Sequence, residues 1–301
     1  MGKTYQKLLP LPFRRFARIV YCVIRFFPQH ILCGLNHLSL LLTKKKMLDL
    51  AVITMVKNEA PYLPEWIEYH RLLGVKKFYF YDNESNDNIK DVLQPYIDTG
   101  IVDYTYFPGK KVQVNAFNNA IKRFKNEAEY IAMIDIDEFI VPINNDAIIQ
   151  VVNNVKNDCK ARKKLFVGLV IKWVNYGYNG HYSKPDGLVT ENYTKSDGIS
   201  KCHKTIINPR LVIRYQTHDG IYLFNRYGVD ENGKEVTGFV DPDKATVNSI
   251  RINHYCRKSY EEYKRKMSKG GAFSGRKAEF EIPLIDLLVL EAPLSYEVTW
   301  R

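Results

Sequence analysis

Between residues 50 and 142 the chain repeatedly switches from one hydrophobic period to another, and few folds accept that pattern. Leu50–Val56 is a short apolar run rich in β-branched residues, the signature of a buried strand. "KNEAPYLP" interrupts it, with Pro64 suited to a first helical turn. Trp66, Ile67, Tyr69, His70 and Leu73 then recur at helical spacing up to Gly74, a C-cap residue. "KKFYFYD" predicts a second strand ending at Asp82, 89–97 a helix, and "GIVDYTYFP" a third strand. Gln113 to Phe124 predicts a helix with Val114, Phe117, Ala120, Ile121 and Phe124 on one face, and "EYIAMIDIDEFIVP" a fourth strand. Such alternation predicts an α/β fold, a mostly parallel sheet flanked by helices. Ligands of these sheets lie beyond the carboxyl ends of the strands. Asp82, Asp135 and Asp137 fall there, and the loop "KNEAP" shares their rim.

After Asn144 the rhythm changes. A helix over 146–155 is followed by a strand, "KLFVGLVIKWV", then by a Gly-, Asn-, Tyr- and Ser-rich stretch. "TIINPRLVIRYQTH" and "ATVNSIRINHYC" each predict a strand, and "SYEEYKRKMSKGG" a helix stopped by two glycines. This half reads as a smaller acceptor-side region closing over the rim. The division expected is an arm over 1–48, a main domain over 49–270 and a C-terminal extension over 271–301.

The charge is unevenly placed. The net charge is +11, yet residues 1–48 hold nine basic residues and no acid, which leaves 35 basic and 33 acidic residues in 49–301. A near-neutral body argues against a nucleic-acid groove. The arm mixes these charges with "FARIVYCVIRFFPQHILCGLNHLSLLLT", whose uncharged run from Phe26 to Thr43 is broken by Pro28, His30, Asn36 and His37. That composition fits a segment lying on an anionic membrane surface better than a spanning helix or a signal peptide. Helices packed on the domain are the other reading. Five scattered cysteines with no CxxC fit neither a disulfide framework nor a zinc ribbon, and point to a reducing cytoplasm.

The stretch "IAMIDIDEFIVP" places Asp135, Asp137 and Glu138 inside an apolar run. If the strand ends near Asp135, the turn lets the first two carboxylates converge. Close carboxylates repel unless a cation or a proton lies between them. A hard divalent ion, Mn²⁺ or Mg²⁺, binds one or two carboxylates and completes its shell with water and phosphate oxygens. The competing reading of a D-x-D triplet is an ordinary helix cap.

"MIDIDEFIVP" together with "AVITMVKNEAPYLPEWIEYHRLLGVKKFYFYDNESND" resembles a GT-A glycosyltransferase, in particular the family 92 group and its family 2-like relatives. "QVNAFNNAIKRF", "KWVNYGYNGH", "HKTIINP" and "INHYCRKSYEEYKRK" agree, so the resemblance covers roughly residues 50–270. It implies a nucleotide-sugar donor, UDP-sugars favoured, a divalent metal, and transfer with inversion. It implies Asp135 and Asp137 as metal ligands with Glu138 behind them, and His254 as a third ligand with His218 as its rival. It places Val56, Asn58, Glu59, Asp82 and Gln113 toward the nucleotide; Asn119 does not share the face of Gln113. Lys258 is either a diphosphate contact or a solvated lysine. An inverting transferase needs a base, commonly Asp or Glu. Glu191 in "LVTENY" aligns loosely with an acceptor-side acid, and Asp186 and Asp219 are alternatives. Trp173 and Tyr176 serve either as a platform for a sugar ring or as core.

The expectation is therefore a metal-dependent sugar transferase at the cytoplasmic membrane face, acting on a glycan or lipid-linked acceptor, as in surface polysaccharide synthesis. A nucleotidyltransferase would share the acid pair but would normally carry a Gly-rich phosphate loop, and no such motif is present. A non-catalytic carbohydrate-binding protein is the third reading, and the retained acids count against it.

Overall fold

A computed structural model describes residues 24–43, 47–144 and 146–268, together with positions 17, 20 and 21. The proposed C-terminal extension and most of the first 23 residues lie outside this set.

Strands β1 (Leu48–Val56), β2 (Lys77–Asp82), β3 (Val102–Tyr106) and β4 (Ala128–Met133) pair in parallel in the order β3-β2-β1-β4. Helices α2 (Leu63–Leu72), α3 (Ile89–Asp98) and α4 (Gln113–Phe124) connect them. Side chains alternate between the two faces, as a period of two requires. Leu50, Val52, Phe78, Phe80, Tyr130 and Ala132 build one core with Leu63, Trp66 and Ile67. Ala51, Ile53, Tyr79, Tyr81, Ile131 and Met133 build the other with Phe117, Ala120 and Phe124.

The sheet continues through β7 (Ser196–Ile207), β6 (Gly168–Tyr176), β10 (Ile250–His254) and β5 (Glu138–Pro142), giving eight strands with mixed pairing. The second half thus completes the sheet itself, where the sequence reading had it only closing over the rim. Residues 128–142 form two strands, not one. β4 and β5 lie at the fourth and eighth positions, joined by residues 134–137 alone. In a flat sheet four interstrand spacings amount to about 19 Å, near the reach of a fully extended link. The link is instead a turn closed by Glu138 N–H donating to the Asp135 carbonyl at 3.1 Å. The sheet therefore curls, and the curl carries β5 and β10 toward the carboxyl end of β4.

"TIINPRLVIRYQTH" also divides. Pro209 cannot donate to a ladder, and β7 gives way to a 3-10 turn at Pro209–Leu211. β8 (Val212–Tyr215) then pairs with β9 (Gly220–Tyr222). Helix α5 (Ile148–Ala161) runs longer than expected, α6 (Val189–Asn192) is one turn, and α7 (Tyr260–Ser268) is the last described helix.

Helix α1 (Phe27–Thr43) packs on the body through His30 and Cys33, both buried. The Cys33 thiol donates to the Arg210 carbonyl at 2.6 Å, and Phe224 N–H donates to His30 Nδ1 at 3.3 Å. Phe27, Ile31, Leu32, Leu35 and Leu38 remain exposed on the outside. No helix among the described residues is long and apolar enough to cross a membrane.

Candidate active site

The carboxyl ends of β1 and β4 open into a cavity of about 750 Å³. One wall comes from the loops after β1 and β2, with Val56, Lys57, Glu59, Asn83 and Glu84; Gln113, at the start of α4, also lines it. The opposite wall comes from Trp173, Thr217, His218 and His254, and from α7 with the loop before it. Asn58, Glu84, Lys111 and Lys258 hold positive φ on this rim. Such backbone is sparsely populated outside glycine and clusters at ligand clamps.

The nucleotide-side expectations divide. Val56, Glu59 and Gln113 line the cavity. Asn58 shapes the loop from behind: its N–H donates to Ser85 Oγ, and its side-chain oxygen accepts from Asn86 N–H. Asp82 is 2% exposed, and its oxygens are taken by Ser85 N–H at 2.9 Å and the Tyr104 hydroxyl at 2.5 Å. It is not among the cavity-lining residues, whereas the next two residues, Asn83 and Glu84, are. Asn119 accepts from the Tyr81 hydroxyl, a contact within the fold.

The turn after β4 separates the acids by role. Asp135 faces Gln113 Nε2 at 3.1 Å and Lys204 Nζ at 2.7 Å. Lys204, on β7, is 1% exposed and also lies 3.6 Å from Glu138 Oε1. Burial opposes its charge, but Asp135 and Glu138 outweigh burial and raise its pKa. Asp137 turns the other way, with His254 Nε2 at 3.6 Å and the Lys266 ammonium in contact. Burial opposes ionisation of Asp137, and Lys266 and His254 overcome it, holding the carboxyl well below its ordinary range. Glu138 is fully buried, and burial raises its pKa well above the ordinary value against the pull of Lys204.

Asp137, Glu138 and His254 each offer a ligand atom within 4.8 Å of the others. This set holds Glu138 where the sequence reading had Asp135; Asp135 lines the cavity and is bonded to Lys204 and Gln113, whereas Glu138 is buried behind it. The set suits a divalent ion on two counts. Glu138 Oε1 is buried with no hydrogen-bond donor, an expensive state for a carboxyl oxygen. His254 Nδ1 lies 3.1 Å from the Asn175 side-chain oxygen, an acceptor for Nδ1–H, so Nε2 is the nitrogen that would face a metal. Two oxygens and one imidazole favour Mn²⁺ over Mg²⁺.

The expected acceptor-side acids lie elsewhere. Glu191 is exposed on α6, whose first two N–H groups donate to Glu65. That anchor turns the side chain back toward Gly187, and Glu191 is not among the residues lining the cavity. Asp186 is exposed on the same loop, and Asp219 accepts from Gly220 N–H and the Tyr222 hydroxyl; neither lines the cavity. Trp173 does line it and packs on His254 with ring centroids 4.1 Å apart, whereas Tyr176 belongs to the core. Lys258 lines the cavity with its ammonium 3.5 Å above the Tyr62 ring, and burial lowers its pKa.

Three side chains here were not singled out from the sequence. Lys204 sits at the start of "KTII", where a lone lysine entering an apolar run is the one available signal. Glu262 holds α7 in place, accepting from the hydroxyls of Tyr62, Tyr193 and Ser259. Lys266, one turn further, reaches Asp137 from that helix.

The model of glycosyltransferase family 92 matches residues 50–286. A family 92 protein of Oryza sativa subsp. japonica is 28% identical over 239 residues, covering 79% of this chain and 37% of its own length. One from Arabidopsis thaliana is 27% identical over 237 residues, covering 72% and 37%. The chain thus spans little more than a third of those relatives. Among solved structures, S. aureus TarS 1–349 in complex with UDP aligns at TM-score 0.38 and 14% identity, over 54% of this chain and 47% of that one. Glucosyl-3-phosphoglycerate synthase from Mycobacterium tuberculosis, with Mn²⁺, UDP and glucosyl-3-phosphoglycerate, aligns at TM-score 0.27 and 15% identity, over 42% and 44%.

Proposed function

Because the chain belongs to glycosyltransferase family 92, we propose that its cavity binds a nucleotide-sugar beside a divalent metal and passes the sugar, with inversion, to a glycan or lipid-linked acceptor. Membership supports sugar transfer over the other readings left open by the sequence. The observation that carries the finer reading is the convergence of Asp137, Glu138 and His254, with Asp137 and His254 lining the cavity beside the loops after β1 and β2 and Glu138 buried behind them.

The residues divide the work by charge. The loops carrying Val56, Glu59, Asn83 and Glu84 hold the base and ribose. Asp137, Glu138 and His254 hold the metal, with Asp135 kept in place by Lys204 and Gln113. When bound, Mn²⁺ or Mg²⁺ supplies Lewis-acid stabilisation of the charge growing on the departing diphosphate. Lys258, Arg265 and Lys266 line the cavity and add positive potential for that same charge. Lys266, in contact with Asp137, would be the cation best placed to pass to the diphosphate were a metal bound to that carboxylate.

The arm gives the enzyme a place to work. Its nine basic residues without an acid, with the outward apolar face of α1, suit an anionic membrane surface at the cytoplasmic side. A lipid-linked or surface glycan would be within reach there, as surface polysaccharide synthesis requires.

The test is release of UDP from UDP-glucose, UDP-galactose and UDP-N-acetylglucosamine, with Mn²⁺ or with EDTA. Metal-dependent release from one donor, lost in Asp137→Ala, is the expected result. Release unaffected by EDTA would contradict the metal role.

A further inference from the structure

The acids expected to serve as base do not line the cavity, so the acceptor side must be searched for what does. The carboxylates facing that side are Asp135, Asp137 and Glu262. Asp135 is paired with Lys204 and Gln113, Asp137 with Lys266 and His254, and Glu262 accepts from three hydroxyls. Glu59 and Glu84 belong to the nucleotide-side loops. His254 has Nδ1 on Asn175 and Nε2 on the metal side. Among the described carboxylates and histidines on this wall, His218 is the one whose proposed duties are not already filled.

We propose that His218 is the catalytic base, its Nε2 taking the proton from the attacking acceptor hydroxyl; this rests on the transferase reading above. Its Nδ1 lies 3.0 Å from the His203 carbonyl. A carbonyl can only accept, so Nδ1 carries the hydrogen and Nε2 carries the lone pair. The Thr205 hydroxyl donates to the His218 carbonyl at 2.9 Å, so ring and backbone are both tied to β7. Trp173, with ring centroids 5.4 Å away at 73°, fixes the ring from β6. A base held in one tautomer and one orientation is what proton removal requires.

The surroundings keep the ring neutral before reaction. Burial, then Lys204, lowers its pKa, and His254 on β10 acts in the same direction. Asp135 and the bond to the His203 carbonyl oppose them. His203 beside it is buried with neither ring nitrogen paired, and burial lowers it to about 4, so it adds no charge. Asp219, the next residue, is bonded by Gly220 and Tyr222.

The step balances. The acceptor oxygen forms a bond to the anomeric carbon, while the bond from that carbon to the diphosphate oxygen breaks and its electron pair leaves with the nucleotide. The hydroxyl proton passes to Nε2, and the imidazolium later returns it to solvent.

Water and azide separate a base from a merely structural histidine, because azide attacks as an anion and brings no proton. UDP release from the active UDP-sugar, with water as acceptor, is measured for wild type, His218→Ala and His218→Gln. Glycosyl azide formation in sodium azide is followed in parallel, and Mn²⁺-dependent UDP binding reports whether each variant is folded and loaded. Loss of the water reaction by about 10²–10³-fold, with azide transfer and UDP affinity within about five-fold, is the expected result. Wild type should also lose rate as pH falls through a value below that of ordinary histidine, and the variants should not show that limb. Equal loss of both reactions with UDP affinity intact, or retention of the water reaction, overturns the assignment. Wild type that binds no nucleotide and releases none from any UDP- or GDP-sugar would instead remove the donor reading, and His218 as base with it.

Discussion

Lys204 Nζ stands 2.7 Å from Asp135 Oδ2 and 3.6 Å from Glu138 Oε1, on a side chain that is 1% exposed. The turn after β4 thus sets two acids around an internal cation, with Asp137 turned away toward Lys266. Removing the cation leaves a buried carboxyl beside two others. Lys204→Met should therefore cost about 3 kcal/mol, a fall in melting temperature of roughly 5–10 °C for a chain of this size. Thermal unfolding checks this, and an unchanged midpoint would show that the acids do not depend on Lys204.

His70, packed against Phe139 and Ile140 of β5, gives a pH dependence of stability. It is 0% exposed, its Nδ1–H donates to the Trp66 carbonyl at 2.8 Å, and its Nε2 accepts from Ile140 N–H at 3.2 Å. Both nitrogens are used by the neutral ring, and burial lowers its pKa to about 4. The unfolded histidine takes its proton first, near pH 6.5. Stability from this site is complete above that pH and is lost as pH falls toward 4. Between pH 7.5 and 4.5 the wild type should lose about 2–3 kcal/mol more than His70→Gln. Urea denaturation at the two pH values measures the difference. Equal losses would mean that His70 accepts a proton in the folded chain.

The outward face of α1 makes a further expectation. Phe27, Ile31, Leu32, Leu35 and Leu38 recur at helical spacing and are exposed, while His30 and Cys33 face inward. The full chain should sediment with vesicles containing phosphatidylserine and much less with neutral phosphatidylcholine vesicles, the difference shrinking with salt. Leu32→Ser with Leu35→Ser should weaken binding several-fold without moving the melting temperature. Equal binding to both vesicles, or to neither, would count against the membrane role.

Much of this arrangement was legible because two signals coincide. Period-two and period-3.6 stretches alternate up to Phe124, and the helices and strands fall where those patterns place them. The acids after β4 stood out because charge is costly in an apolar run. The turn itself was hidden, since Ile134 and Ile136 are as apolar as strand residues and are buried like them. Hydropathy cannot register the Glu138-to-Asp135 backbone bond that splits 128–142 in two. Lys204 was invisible for a different reason. Its partners lie 66 and 69 positions earlier in the chain, and only the β4–β7 pairing brings them near. Glu191 drew attention by loose alignment to an acidic position, yet the Glu65 cap on α6 turns it from the cavity.

If Asp137, Glu138 and His254 hold a metal as proposed, nucleotide binding depends on it. The most direct measurement is calorimetric titration of UDP, and of GDP beside it, into the full chain with and without Mn²⁺, repeated on Asp137→Ala. One nucleotide should bind at least ten-fold more tightly with Mn²⁺, and that gain should vanish in a folded Asp137→Ala. Binding of equal strength with and without metal, or a Mn²⁺ gain that survives the substitution, would contradict it.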